Sequence, residues 1–109
     1  MKNIHALCLG TANYRSSAAE KDAFAFLDHF HENGGTLLDS AHVYASWLED
    51  GAGASERCIG NWMRARNNRS DIRVMTKGAH PDLKTGVKRL THKDIQQDIS
   101  ESLDRLQSD

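Results

Sequence analysis

The spacing of apolar positions changes period along the chain. Asn3–Thr11 (NIHALCLGT) is a short apolar run closed by Gly-Thr, and it predicts a buried strand. Ser17 with Glu20 three residues on has the form of a capping box and predicts a helix start. Ala23, Phe26, Leu27 and Phe30 then recur at i, i+3, i+4, i+7 and define that helix's apolar face, with Gly34 as its stop. TLLDSA reads as a second strand, and the glycine-bearing stretch SWLEDGAGAS as a loop. Ser55 is the expected cap of a second helix whose apolar face is Cys58, Ile59, Trp62 and Met63. The polar run RARNNRSD ends it. Ile72–Lys77 (IRVMTK) predicts a third strand, and GAHPDLKTGVKRL, with the sole proline, a long loop. Thr91 and Asp94 predict a cap for a third helix with Ile95, Ile99, Leu103 and Leu106 on one side.

The order β-α-β-α-β-α predicts an α/β fold of parallel units with right-handed crossovers. The strands are near-continuously apolar, which predicts a sheet covered on both faces. No repeat beyond this alternation is present.

Composition narrows the classes. The chain has 109 residues, 27% charged, with a formal net charge of -1, so charge gives no case for a nucleic-acid or membrane partner. The basic run RARNNRSDIR reads as a solvated helix end. No apolar run approaches the ~20 residues of a membrane span, and MKNIHALCLGT is too short in apolar residues for a signal peptide. Cys8 and Cys58 are far apart and read as two free thiols of a cytoplasmic protein. Asn68-Arg69-Ser70 has the form of a glycosylation sequon, discounted without a secretory signal. His29 and His31 are two apart on a helix and face apart, a poor metal pair, and no metal site is expected.

In a parallel sheet the C-terminal ends of all strands lie on one edge, where ligand sites of α/β folds form. Gly10 and Thr11 end the first strand, Asp39 the second with Tyr44 on its loop, and Lys77 the third. A tyrosine hydroxyl is a weak acid, with an ordinary pKa of about 10. A nearby ammonium favours its ionised form and makes it a better proton donor. A carboxylate on the neighbouring strand can hold that ammonium in place and keep it charged. Asp39 is then the orienter, Lys77 the tuner and Tyr44 the acid.

LGT, GGTLLDSAHVY, ASERCIGNWM, VMTK and SLDRL follow one another here in an order and spacing that resemble the aldo-keto reductases. The resemblance implies a partial (β/α)₈ TIM barrel, three βα units of eight, with residues 1–109 as the N-terminal part of the barrel domain. A barrel of this type takes about 250 residues. It also implies an oxidoreductase that transfers hydride between a nicotinamide cofactor, NADP(H) before NAD(H), and a small carbonyl substrate: an aldehyde, ketone or sugar. Asp39, Tyr44 and Lys77 match three members of the family's catalytic tetrad. The turn Gly10-Thr11-Ala12, with Asp39, matches the part of the family that lies near the nicotinamide ribose. The fourth tetrad member, a histidine on the next strand, has no counterpart here, nor do the strands that hold the rest of the cofactor. A complementary C-terminal part is therefore expected to be needed for closure.

Alternatives stay open. Asp39 alone could be a cap, Lys77 a solvated lysine and Thr11 a strand terminator. His80, three residues past Lys77, is a candidate substitute for the absent histidine, against a solvated loop histidine. His42 packs or lines the mouth of the site. Trp47 touches substrate or covers the barrel rim. The competing functions are a non-catalytic truncated fragment and a small α/β binding module. As a bare three-unit chain, it is expected to expose interior-facing residues such as Leu7, Leu38 and Met75.

Overall fold

A computed structural model describes residues 4–14 and 20–109 of the chain. The elements run β1 (Cys8–Gly10), α1 (Glu20–Glu32), β2 (Leu37–Asp39), α2 (Ala54–Arg66), a 3₁₀ turn (Arg69–Asp71), β3 (Arg73–Met75) and α3 (His92–Leu106). The three strands form one parallel sheet in the order β1-β2-β3. Leu9, Leu38 and Val74 lie side by side in register, as do Gly10, Asp39 and Met75. Three βα units in this arrangement are a partial (β/α)₈ barrel.

The strands are shorter than their apolar runs. Leu7 gives its N–H to Ile4 O at 2.9 Å, so the start of the first run closes a turn instead of entering the ladder. Ile72 is tied back to Arg69 O by the 3₁₀ turn. Pairing continues past the other end, through Ser40 N–H to Met75 O and His42 N–H to Lys77 O, both 2.8 Å. That continuation holds the loops that carry the polar groups.

One face of the sheet is covered. Leu38 is fully buried among Leu27, Phe30, Ile59, Trp62, Met63, Ile72 and Leu106, while Leu9 and Val74 pack at the edge of that core. Each such side chain removed from water contributes about 1.5–3 kcal/mol. The other face bears Cys8, Leu37, Asp39, Arg73 and Met75, and among the described residues no helix covers it: Met75 is half exposed. Leu38 is thus a helix-side residue and not an interior one. The period of two decides this, because its neighbours Leu37 and Asp39 point the other way. The apolar runs do not, after all, mean two covered faces here.

In α1, Ala23, Leu27 and Phe30 are buried, but Phe26 is 67% exposed, and Phe24 packs on the core instead. The proposed Ser17 cap lies outside the described residues. Gly34, at φ +93°, turns the chain after α1, where its N–H closes on His31 O. Cys58, Ile59, Trp62 and Met63 form the buried face of α2, as their spacing requires. Ser55 is not its cap. Gly53 occupies that position in the left-handed region, and Ser55 sits inside the first turn. The Thr91–Asp94 capping box of α3 is present in both directions. Its apolar stripe behaves otherwise: Leu106 is buried, whereas Ile95, Ile99 and Leu103 are exposed, and Asp98 and Ser102 face inward. Polar side chains face inward because α3 packs on the βα loops as well as on α2.

Candidate active site

Asp39, Tyr44 and Lys77 meet on the open face of the sheet at the C-terminal strand ends. Lys77 Nζ donates to Asp39 Oδ1 and to Ser40 O, each at 2.6 Å. Tyr44 donates its hydroxyl hydrogen to Asp39 Oδ2 at 3.1 Å. The Lys77 ammonium lies 4.7 Å from the centre of the Tyr44 ring, a cation–π distance. Asp39 therefore receives one donor on each oxygen. Partial desolvation is the largest influence on the Lys77 pKa and pulls it down. The hydrogen bonds and charges of Asp39 and Tyr44 together outweigh it, so the pKa lies above the ordinary lysine value.

Behind the trio lies a buried cluster of hydroxyls. Thr11 Oγ1 donates to Asp39 O at 2.8 Å. Ser55 Oγ donates to Thr11 O at 2.9 Å and lies 2.8 Å from Thr11 Oγ1 and 2.9 Å from Ser40 Oγ. All three residues are fully buried. They join the ends of β1 and β2 to the first turn of α2 and fix the backbone that carries Asp39. The Thr11 side chain thus points inward, and its backbone is held as well, its N–H by Asp39 O and its C=O by the Tyr14 N–H and Ser55 Oγ. Gly10 is exposed, and a Cβ added there would meet nothing within 4 Å.

A second network lies on the α3 side. Glu56, fully buried in α2, accepts from Thr76 Oγ1 at 2.6 Å and from Arg105 Nη1 at 3.2 Å. Arg105 also donates to Glu101 Oε2 at 2.9 Å, and His42 Nε2 lies 2.7 Å from the same oxygen. Asp98 accepts from the Ala79 N–H at 2.8 Å and pairs with Arg89. Burial alone would push the Asp98 pKa up, but the bonds from Arg89 and Ala79 and the His42 charge hold it below the usual carboxylate value. Ser40, Glu56, Asp98, Glu101 and Arg105 were not singled out by sequence reasoning. The one available signal was a serine and a glutamate, Ser55 and Glu56, at the start of a helix whose buried face is otherwise apolar.

The other candidates fall elsewhere. Trp47 is half exposed and stands edge-on to Tyr44, with ring centres 6.3 Å apart. His80 is exposed, with Nδ1 2.7 Å from Pro81 O. It lines a cavity of about 540 Å³ with His42, Lys84 and Arg89, and Asp39, Tyr44 and Lys77 are not part of that lining. His31 packs edge-on to Trp62. Among the described residues no group of three His, Cys, Asp or Glu side chains is placed to hold a metal ion. Both cysteines are free, and burial, with the Glu20 charge, pushes the Cys58 thiol up to about 12. Asn68 of the sequon is buried. No helix among the described residues is long and apolar enough to cross a membrane.

The model of the Aldo/keto reductase family matches residues 6–109. The chain is 40% identical over 83 residues to norsolorinic acid reductase B of Aspergillus parasiticus, covering 70% of this chain and 20% of that protein. An uncharacterized oxidoreductase of Bacillus subtilis is 32% identical over 112 residues, covering 97% of this chain and 34% of its own. Among solved structures, an aldo-keto reductase of Bacillus halodurans in its holo form superposes with a TM-score of 0.71 at 26% identity, over 94% of this chain and 32% of that one. The chain spans about a fifth to a third of the length of these curated relatives.

Proposed function

The chain belongs to the aldo/keto reductase family, and from that premise we propose that it carries the proton-donor side of a site that reduces small carbonyl compounds with a nicotinamide cofactor. The observation that carries this reading is the closed set of contacts Lys77–Asp39–Tyr44, with the ammonium against the phenol ring. Tyr44 is the proton donor. Its hydroxyl turns about one bond, so the hydrogen now given to Asp39 can be directed at a carbonyl oxygen above the open face. Lys77 stabilises the negative charge that develops on the phenol oxygen as the proton leaves. Asp39 holds Lys77 charged and in place.

Gly10 and Asp39 are neighbours in register on the uncovered face, and a Cβ added at Gly10 would meet nothing within 4 Å. That fits the nicotinamide end of NADP(H) or NAD(H), with the Gly10-Thr11-Ala12 main chain and Asp39 as its holders. When bound, such a cofactor supplies the hydride. Trp47, beside Tyr44, is the candidate wall for the substrate.

One observation favours a second reading, a chain that is inactive without a complementary C-terminal part. The face that bears the trio is bare, with Met75 50% exposed. Later βα units of the kind found in the longer relatives would cover it.

The test is to splice residues 6–109 into the Bacillus subtilis relative in place of its matching segment and assay NADPH-dependent reduction of an aromatic aldehyde. Tyr44→Phe should lower turnover by roughly 10²- to 10⁴-fold and leave cofactor affinity nearly unchanged. Near-parental turnover in the Phe variant would remove Tyr44 from the role of donor.

A further inference from the structure

We infer that His42 is a positioning residue: clamped by its imidazole to Glu101 of α3, it holds the loop that carries Tyr44 against the loop that carries Lys77. The inference rests on the reductase reading in one respect, that Tyr44 and Lys77 are the working groups.

The loop after β2 has little to hold itself up. From Ala41 to Gly51 it is a succession of turns, and Ala45 (φ 67°) and Asp50 (φ 54°) sit in the left-handed region, which costs energy for residues with a Cβ. Such a loop keeps one shape when its surroundings over-determine it. His42 supplies two attachments at once. Its N–H donates to Lys77 O at 2.8 Å, so the residue two before Tyr44 is bonded to the residue that tunes it. Its ring Nε2 lies 2.7 Å from Glu101 Oε2 and 3.6 Å from Asp98 Oδ1, with the side chain 17% exposed.

The groups facing His42 form a continuous charged set on the far side of the trio. Arg105 of α3 reaches His42 O at 3.4 Å and bridges Glu101 to Glu56 of α2. Asp98 of α3 anchors the Ala79 N–H, two residues past Lys77, and is itself paired with Arg89. One helix therefore pins both loops, Asp98 the second and His42–Glu101 the first. A histidine placed for packing alone needs no carboxylate at hydrogen-bond distance on a helix 59 positions away.

The experiment is amide hydrogen exchange, read by NMR, of the spliced protein in which residues 6–109 replace the matching segment of the Bacillus subtilis relative, for the unmutated splice, His42→Ala, Glu101→Ala, the double variant and His42→Gln. Each single alanine variant should speed exchange of the His42 and Tyr44 amides about tenfold or more, while Leu38 and Ile59 in the core keep their rates. The double variant should fall well short of the two single effects combined, because the His42–Glu101 contact is lost in each of them, although Glu101→Ala also removes the bond from Arg105. His42→Gln, which keeps a donor for Glu101, should restore much of the protection. Unchanged exchange at His42 and Tyr44, equal acceleration in the core, or additive effects in the double variant would overturn the clamp. Should His42→Ala fail to fold, Glu101→Ala on the partly exposed face of α3 carries the same test. No turnover enters the readout, so the clamp can fail while Tyr44→Phe still abolishes reduction, and the reverse.

Discussion

Lys77 and Asp39 stand 38 positions apart in the chain, and their side chains meet at 2.6 Å, Nζ to Oδ1. The meeting follows from topology. Two successive parallel strands bring their C-terminal ends together, Asp39 pairs in register with Met75, and the backbone bond from His42 to Lys77 extends that pairing two residues further. A carboxylate at the end of an apolar strand is costly unless paired, and its partner comes from the next strand along.

The first prediction concerns this pair. Asp39→Asn removes the charge that helps lift the Lys77 pKa, so the Lys77 titration midpoint, read by NMR of its Cε, should fall toward the ordinary value. The sign for stability follows. A lysine whose folded pKa is raised contributes fully below its unfolded pKa of about 10.4 and loses that contribution as pH rises through the folded value. The stability gap between wild type and Asp39→Asn should thus be flat from neutral pH to about pH 10 and shrink above it. A midpoint that does not move would mean the pair is absent in solution.

The second prediction concerns the buried acid of α2. Arg105→Met leaves Glu56, 0% exposed, with the Thr76 hydroxyl as its hydrogen-bond donor and no cation. Stranding a buried charge costs about 3–5 kcal/mol, measurable by urea unfolding. Adding Glu56→Gln to Arg105→Met should recover part of that loss, since no charge is then left unpaired. A loss under about 1 kcal/mol, the range of an exposed pair, would contradict the burial of Glu56.

Gly60 lets the backbones of α2 and α3 approach closely. A Cβ there would fall 2.2 Å from Arg105 O, a backbone atom that cannot swing aside. Gly60→Ala improves helix propensity, yet it should destabilise by about 1–3 kcal/mol because the two helices must separate. A neutral or stabilising alanine would show that the helices are further apart than this.

What the sequence disclosed and what it hid divide along physical lines. Local signals held: the Thr91–Asp94 box, the Gly34 stop, and the buried stripe Cys58, Ile59, Trp62, Met63. The convergence of Asp39, Tyr44 and Lys77 was legible because βα alternation puts the strand ends on one edge, whereas the barrel arrangement of the strands came from the family resemblance. Sidedness was not. Leu38 and Phe26 are as apolar as their neighbours, and only the fold says which way each points. Ser55 has the composition of a cap, but Gly53 takes that place, and the serine joins hydroxyls 15 and 44 positions away. The His42–Glu101 contact, across 59 positions, leaves no local trace.

The last prediction concerns the open face. In the order β1-β2-β3, both β1 and β3 are edges, and each offers backbone groups to another strand. Past the end of β3, beside Thr76, Lys77 and Gly78, runs the α3 stripe of Ile95, Ile99 and Leu103, 42%, 55% and 38% exposed, Met75 stands on the bare face, and Leu7 is exposed in the turn before β1. A leucine-sized side chain left in water forfeits up to about 1.5–3 kcal/mol of burial, and several together rival the ~5–15 kcal/mol that holds a typical domain. The 109-residue chain alone should therefore self-associate, with a light-scattering mass above that of one chain that rises with concentration. Ile99→Lys with Leu103→Lys should lower that mass, because both charges sit on the exposed stripe and touch none of Asp39, Tyr44 or Lys77. The same chain should bind NADPH too weakly for saturation to be seen below millimolar concentration and show no aldehyde-dependent NADPH consumption. A stable monomer with aldehyde-dependent turnover would overturn this expectation and return His80 to the place of the fourth catalytic group.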